Sequence, residues 1–151
     1  MELDFKIHCL EALAKHLSTK KEQVQSMLDS LKDSRDADQK SSAGDKHETG
    51  RARIQEEMDM LSKQLHQIQD ELNIVTQVDS SQTHKRIGMG SLVKTEQGLF
   101  LLSVSAGKMQ VDGSTVFALS PISPLGKILN SRKLNESFRF RNQSFKILDL
   151  V

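Results

Sequence analysis

The 151-residue chain contains no tryptophan, no tyrosine and a single cysteine, Cys9, and six phenylalanines are its only aromatic residues. So few large aromatic side chains argue against one large globular core and for a long helical segment joined to a small compact unit. The lone cysteine excludes an internal disulfide and fits a reducing compartment. Lys and Arg number 21 against 20 Asp and Glu. The net charge of +1 therefore implies no strong field for nucleic acid or an anionic membrane. No apolar run approaches the roughly 20 residues that span a bilayer. The opening residues, with Glu2 and Asp4, lack the basic-then-apolar order of a secretory signal. A soluble cytoplasmic protein is the expectation, with no membrane partner.

What the chain does have is heptad patterning. Leu3, Ile7, Leu10, Ala14, Leu17, Lys21, Val24, Leu28 and Leu31 alternate spacings of four and three, and so do Ile54, Met58, Leu61, Leu65, Ile68, Leu72 and Val75. Two such runs predict two helices with an apolar seam apiece. Folding one run back on the other pairs Leu31 with Ile54, Val24 with Leu61 and Leu10 with Val75. An antiparallel coiled-coil hairpin then closes on itself, and a monomer is expected. At about 1.5 Å per residue such an arm projects on the order of 45–55 Å. Lys21 is the polar seam position, a type that commonly fixes register. Thr19 and Glu22 have the spacing of a capping box and predict a local break near residues 17–19.

Residues 41–52, Ser-Ser-Ala-Gly-Asp-Lys-His-Glu-Thr-Gly-Arg-Ala, lie between the two runs and form the expected tip. Gly44 and Gly50 allow the reversal. If the returning helix starts near Asp45, then Asp45 and Glu48 share one face of its first turn, where the helix dipole favours their ionised forms. No large apolar side chain occurs between Leu31 and Ile54. Two carboxylates on a narrow polar tip suit insertion into another molecule. They are a poor Mg²⁺ site alone but a reasonable half-site, completed by a partner's oxygens. The tip basics Arg35, Lys40, Lys46, Arg51 and Arg53 could contact RNA phosphates, although they alternate with Asp33, Asp36 and Asp38 as a solvated face also would.

The polar stretch 79–83 reads as a linker, dividing a hairpin at 1–78 from a second unit at 84–151. In that unit, residues 91–94, 99–105 and 115–119 read as strands. Two more carry Phe138 with Phe140 and Phe145 with Ile147, turned at Asn142-Gln143. Ser123 suits an N-cap and Pro124 the first position of a short helix to about Asn130. The expectation is α+β: a small antiparallel sheet with one short helix on it. Ile122 and Leu125 flank that helix start and are either a hydrophobic anchor for a partner or core residues of the sheet unit. Gly88-x-Gly90 precedes a strand instead of joining strand to helix, so it is no dinucleotide motif. His8, His16, His66 and His84 show no ligand spacing, and no nucleophile constellation appears.

Taken together, these stretches resemble the GreA/GreB family of bacterial transcript cleavage factors. Gly44-Asp45-x-x-Glu48 is similar to that family's G-D-x-x-E, and Ser123-Pro124-Leu125-Gly126-Lys127-Ile128-Leu129 to its S-P-[IL]-[AG]-[RK]-A-L. Gly90-Ser91-x-Val93 resembles the start of its first sheet strand. Arg132-Lys133-Leu134-Asn135-Glu136 stands in the place of its K-x-x-G-D. Thr49 and Ala52 stand where the family usually has Asn and Tyr. The resemblance implies an FKBP-like second domain that docks on bacterial RNA polymerase through Ile122, Ser123, Pro124 and Leu125, while the hairpin enters the secondary channel. Asp45 and Glu48 would then help hold a catalytic Mg²⁺ for cleavage of the backtracked RNA 3′ end, the chain itself being no enzyme. Two other readings stay open: a channel-binding regulator without cleavage, and a coiled-coil adaptor. A prolyl isomerase is set aside, because such pockets are lined with Trp and Tyr.

Overall fold

In the computed structural model, backbone is described for residues 1–39 and 45–151, and side chains for residues 1–37 and 49–151. The chain is α+β. Helix α1 spans Leu3–Gln39 and α2 spans Asp45–Gln77, forming a long helical hairpin. Six strands follow: β1 (Leu92–Thr95), β2 (Gly98–Leu102), β3 (Gly107–Val111), β4 (Ser114–Leu119), β5 (Ser137–Phe140) and β6 (Gln143–Leu150). The short helix α3, Pro124–Leu129, lies between β4 and β5. Contacts group the chain into two compact units, Leu17–Leu72 and the remainder, Met1–His16 with Asn73–Val151.

Among the described residues of Leu17–Leu72 the buried apolar ones are Leu17, Val24, Leu28, Met58, Leu61 and Ile68, all of them heptad positions. Leu31, Ile54, Leu65 and Leu72 are half-buried at the remaining apolar positions. Lys21 Nζ donates to Gln69 Oε1 at 2.6 Å, a polar bond between the helices. The break expected near residues 17–19 does not occur, for α1 runs through it uninterrupted. Leu17 is buried on one side of the Thr19 position and Val24 on the other, and the seam holds both to helical spacing.

The other unit is built on one mixed sheet in the order β3-β4-β2-β1-β6-β5. This corrects the expectation of an all-antiparallel sheet, since β2 and β4 run parallel with Leu99 opposite Val116 and Leu102 opposite Leu119. The parallel pair arises because β3, a strand unforeseen in the sequence, makes a hairpin with β4 at the sheet edge. Asp112 and Gly113 turn that hairpin with φ of 49° and 79°, the two-residue turn that matches strand twist. The β5–β6 turn is likewise made by Arg141 and Asn142, at φ 49° and 63°, one residue earlier than expected.

Alternation along the strands buries both faces. On one face, Val93, Phe100, Leu102, Phe145 and Ile147 form a core with Ile87 and Leu129, to which Leu125, Phe138 and Phe140 add partial cover. Phe138 stacks on Phe145 with centroids 5.0 Å apart and planes at 11°. On the other face, Leu92, Leu101 and Val116 are fully buried without belonging to that cluster. Lys6, Cys9 and Leu13, spaced three and four apart on α1 and off its seam, are also fully buried. His8 Nδ1 meets Asp112 Oδ2 at 2.6 Å, which ties these first turns of α1 to the β3–β4 turn. The start of α1 thus has a second buried stripe, and Lys6 on it reaches the Gln82 carbonyl.

Candidate functional site

Helix α1 ends at Gln39 and α2 begins at Asp45, and the residues between lie outside the described part of the chain. Asp45 is the first residue of α2 and Glu48 falls in its first turn. A separation of three places two helical residues on one face, at the end where backbone N–H groups lack intrahelical partners. The side chains of Asp45 and Glu48 lie outside the described residues. Beyond them, Thr49, Arg51, Ala52 and Arg53 are exposed and Ile54 is half-buried. Among the described residues, no group of three or more His, Cys, Asp or Glu is placed to hold a metal ion.

The second candidate segment is built around the cap of α3. Ser123 is the N-cap: its Oγ accepts from the Gly126 N–H at 3.2 Å and donates to the Ser120 carbonyl at 2.6 Å. Pro124 follows at the first helical position, where its missing N–H costs nothing. Gly126 is required by space, since a Cβ there would lie 1.9 Å from the Ser120 carbonyl oxygen. This tight cap sends neighbouring side chains opposite ways. Ile122 is 78% exposed, whereas Leu125 packs on the core. Of the four expected docking residues, Ile122 and Pro124 face solvent, Ser123 caps, and Leu125 is structural in its contacts.

Two polar groupings escaped the sequence reading. Lys6 is fully buried, with Nζ donating to the Gln82 carbonyl and lying 3.4 Å from His84 Nδ1. Burial lowers the Lys6 pKa, and the nearby Asp79 charge opposes that shift. Burial also lowers the His84 pKa, helped by the Lys6 charge. His8 is the opposite case: its hydrogen bond to Asp112, and then the charge of that carboxylate, raises its pKa. Burial pushes the Cys9 thiol up to about 11, so it is an inert packing residue. Only the three-four spacing of Lys6, Cys9 and Leu13 marked this face in the sequence. Nothing local pointed to partners 78 and 104 residues away.

Gly90 shows why the Gly88-x-Gly90 stretch exists. It adopts φ of 87°, and a Cβ on it would lie 2.6 Å from Val78 Cγ1. Its N–H donates to the Leu102 carbonyl at 2.7 Å as the chain enters β1. The glycine is therefore a packing requirement. No protein-family model matches the sequence, and no curated protein matches it significantly.

Proposed function

We propose that this chain is a cytoplasmic, monomeric transcription elongation factor of the transcript-cleavage kind, acting on bacterial RNA polymerase. The observation that carries the reading is where two motifs fall on the fold. Asp45 and Glu48 occupy the first turn of α2, where the hairpin returns. Ser123 and Pro124 start α3 in the other unit and leave Ile122 exposed. The sheet with α3 is the FKBP-like domain of this reading, and Ile122 with Pro124 is its docking contact. The helices form an antiparallel coiled coil that carries the acidic pair into the secondary channel.

Inside the channel Asp45 and Glu48 supply anionic oxygens, and polymerase and RNA oxygens complete the coordination that Mg²⁺ requires. The ion supplies charge stabilisation at the scissile phosphate and an activated water. The residues of this chain position and hold; bond cleavage belongs to the polymerase. Arg51 and Arg53 are exposed one turn further on, and in this reading they contact RNA phosphate.

A second reading, a channel-binding regulator without cleavage, is favoured by Thr49 and Ala52. Both are exposed beside the acidic turn, where the family it resembles usually carries Asn and Tyr. Backtracked polymerase complexes incubated with the protein and scored for RNA shortening decide between them. Shortened RNA supports the first reading. Binding that leaves the RNA intact across a range of Mg²⁺ concentrations replaces it with the second, and absence of binding removes both.

A further inference from the structure

The net charge of +1 conceals a partition that the fold exposes. Residues 17–72 carry nine Lys and Arg against twelve Asp and Glu, whereas the rest of the chain carries twelve against eight. The sheet-containing unit is thus cationic and the hairpin anionic. Its cations are also gathered. Ile87 N–H donates to the Arg132 carbonyl at 2.8 Å, and Ser131 N–H to the Ile87 carbonyl at 2.7 Å. These two bonds bring Lys85 and Arg86 beside Arg132 and Lys133 across a separation of 45 residues.

The two arginines of this cluster are held in place. Arg86 Nη1 donates to the Ser131 carbonyl at 3.3 Å. Arg132 Nε donates to the Ile128 carbonyl at 2.7 Å, and its guanidinium lies 4.7 Å from the centroid of the Phe138 ring. A guanidinium has five N–H donors in a planar fork, so a fork anchored by one donor keeps others for a second partner with little entropy left to lose. Lys85, Arg86 and Lys133 are exposed. Among the described residues, the ion pair in this cluster is Arg132 with Glu136 at 3.9 Å, which leaves most of the positive charge uncompensated.

We infer that the Lys85–Arg86–Arg132–Lys133 cluster binds the phosphate backbone of a nucleic-acid duplex without sequence preference. Four cations on one patch suit a polyanion better than a single carboxylate. The neighbouring aromatic rings are taken: Arg132 covers Phe138, which stacks on Phe145, and Arg141 lies 5.0 Å from the centroid of Phe140. With no free ring for bases to stack on, the patch suits a duplex backbone over an unpaired strand. This inference does not rest on the polymerase reading, and it is tested without polymerase.

The test is fluorescence anisotropy of the full chain with a labelled mixed-sequence duplex of about 20 base pairs, titrated at several salt concentrations. Four phosphate contacts predict that affinity falls about 10²-fold when salt rises about fourfold, and that sequence has little effect. Lys85→Glu with Lys133→Glu, both exposed and free of core contacts, should weaken binding about tenfold or more and flatten the salt slope by about two. Lys32→Gln with Lys63→Gln, exposed on the hairpin, should leave binding unchanged. No binding at low salt overturns the inference. So does binding lost in the Lys32 and Lys63 variant but kept in the Lys85 and Lys133 variant. Equal competition by poly-glutamate of matched charge also overturns it, and would assign the patch to an acidic protein.

Discussion

The two halves of α1 are one helix with two kinds of surroundings. Over residues 17–37 the buried side chains keep to the seam, Leu17, Val24 and Leu28, and most other positions are exposed. Over residues 3–16 the seam residue Leu10 is joined by Lys6, Cys9 and Leu13 on a second line. A helix with one neighbour needs one apolar stripe, and a helix between two neighbours needs two. The second neighbour lies in the sheet-containing unit, where Lys6 meets Gln82 and His8 meets Asp112. The same comparison separates burial, because the first turns bury two stripes where residues 17–37 bury one, while Asp4, Glu11, Lys15 and His16 stay exposed.

The largest expected effect is on the outer hairpin and is functional. Asp45→Asn and Glu48→Gln keep shape and remove one charge each. RNA cleavage by polymerase should fall about 10²–10³-fold, corresponding to a loss of about 3–4 kcal/mol of transition-state stabilisation. Polymerase binding and thermal stability should stay unchanged, and a fall in either would show that the pair is structural.

On the inner turns the effect should be on stability instead. Leu13→Ala empties a fully buried site and should cost about 2–5 kcal/mol in urea denaturation. Leu31→Ala, at a half-buried seam position, should cost about 1 kcal/mol. Equal losses would erase the distinction between the two halves. In the cap of α3, Gly126→Ala should cost about 1–3 kcal/mol by forcing the Ser120 carbonyl away. Ile122→Ser should leave stability within about 0.5 kcal/mol. If Ile122 docks on polymerase, that variant should still weaken binding about tenfold.

The smallest effects are those of pH, and they oppose each other. The folded pKa of His8 is raised above 6.5, so its contribution is fully present below that value and is lost as pH rises through the folded pKa. The folded pKa of His84 is lowered below 6.5, so the unfolded chain binds more protons in that window and stability falls on acidification. In chemical denaturation between about pH 5 and 8, His8→Gln should steepen the loss of stability towards acid and His84→Gln should relieve it. Identical pH profiles for the two variants would contradict the assigned contacts.

Much of this was legible in the residues themselves. The four-three spacing named nearly every buried residue of Leu17–Leu72, because a hairpin seam is a local repeat that two adjacent runs satisfy together. Ser123 and Pro124 announced α3, because capping acts within one turn. The sheet was less legible. Lys108, Met109, Gln110 and Val111 alternate as an edge strand should, yet the segment is short and bounded by Gly107 and Gly113, so it reads as punctuation. Once β3 is missed, the parallel pairing of β2 with β4 cannot be foreseen.

By itself the sequence determined the helices, their seam and the cap of α3, since each depends on residues within a few positions of one another. Only the tertiary structure decided that the start of α1 belongs with the sheet, that Lys6 meets His84 and His8 meets Asp112, and that Lys85 and Arg86 stand beside Arg132 and Lys133. Those pairings join segments many tens of residues apart. Side-chain periodicity tells which face of an element is buried, and only chain topology tells what buries it.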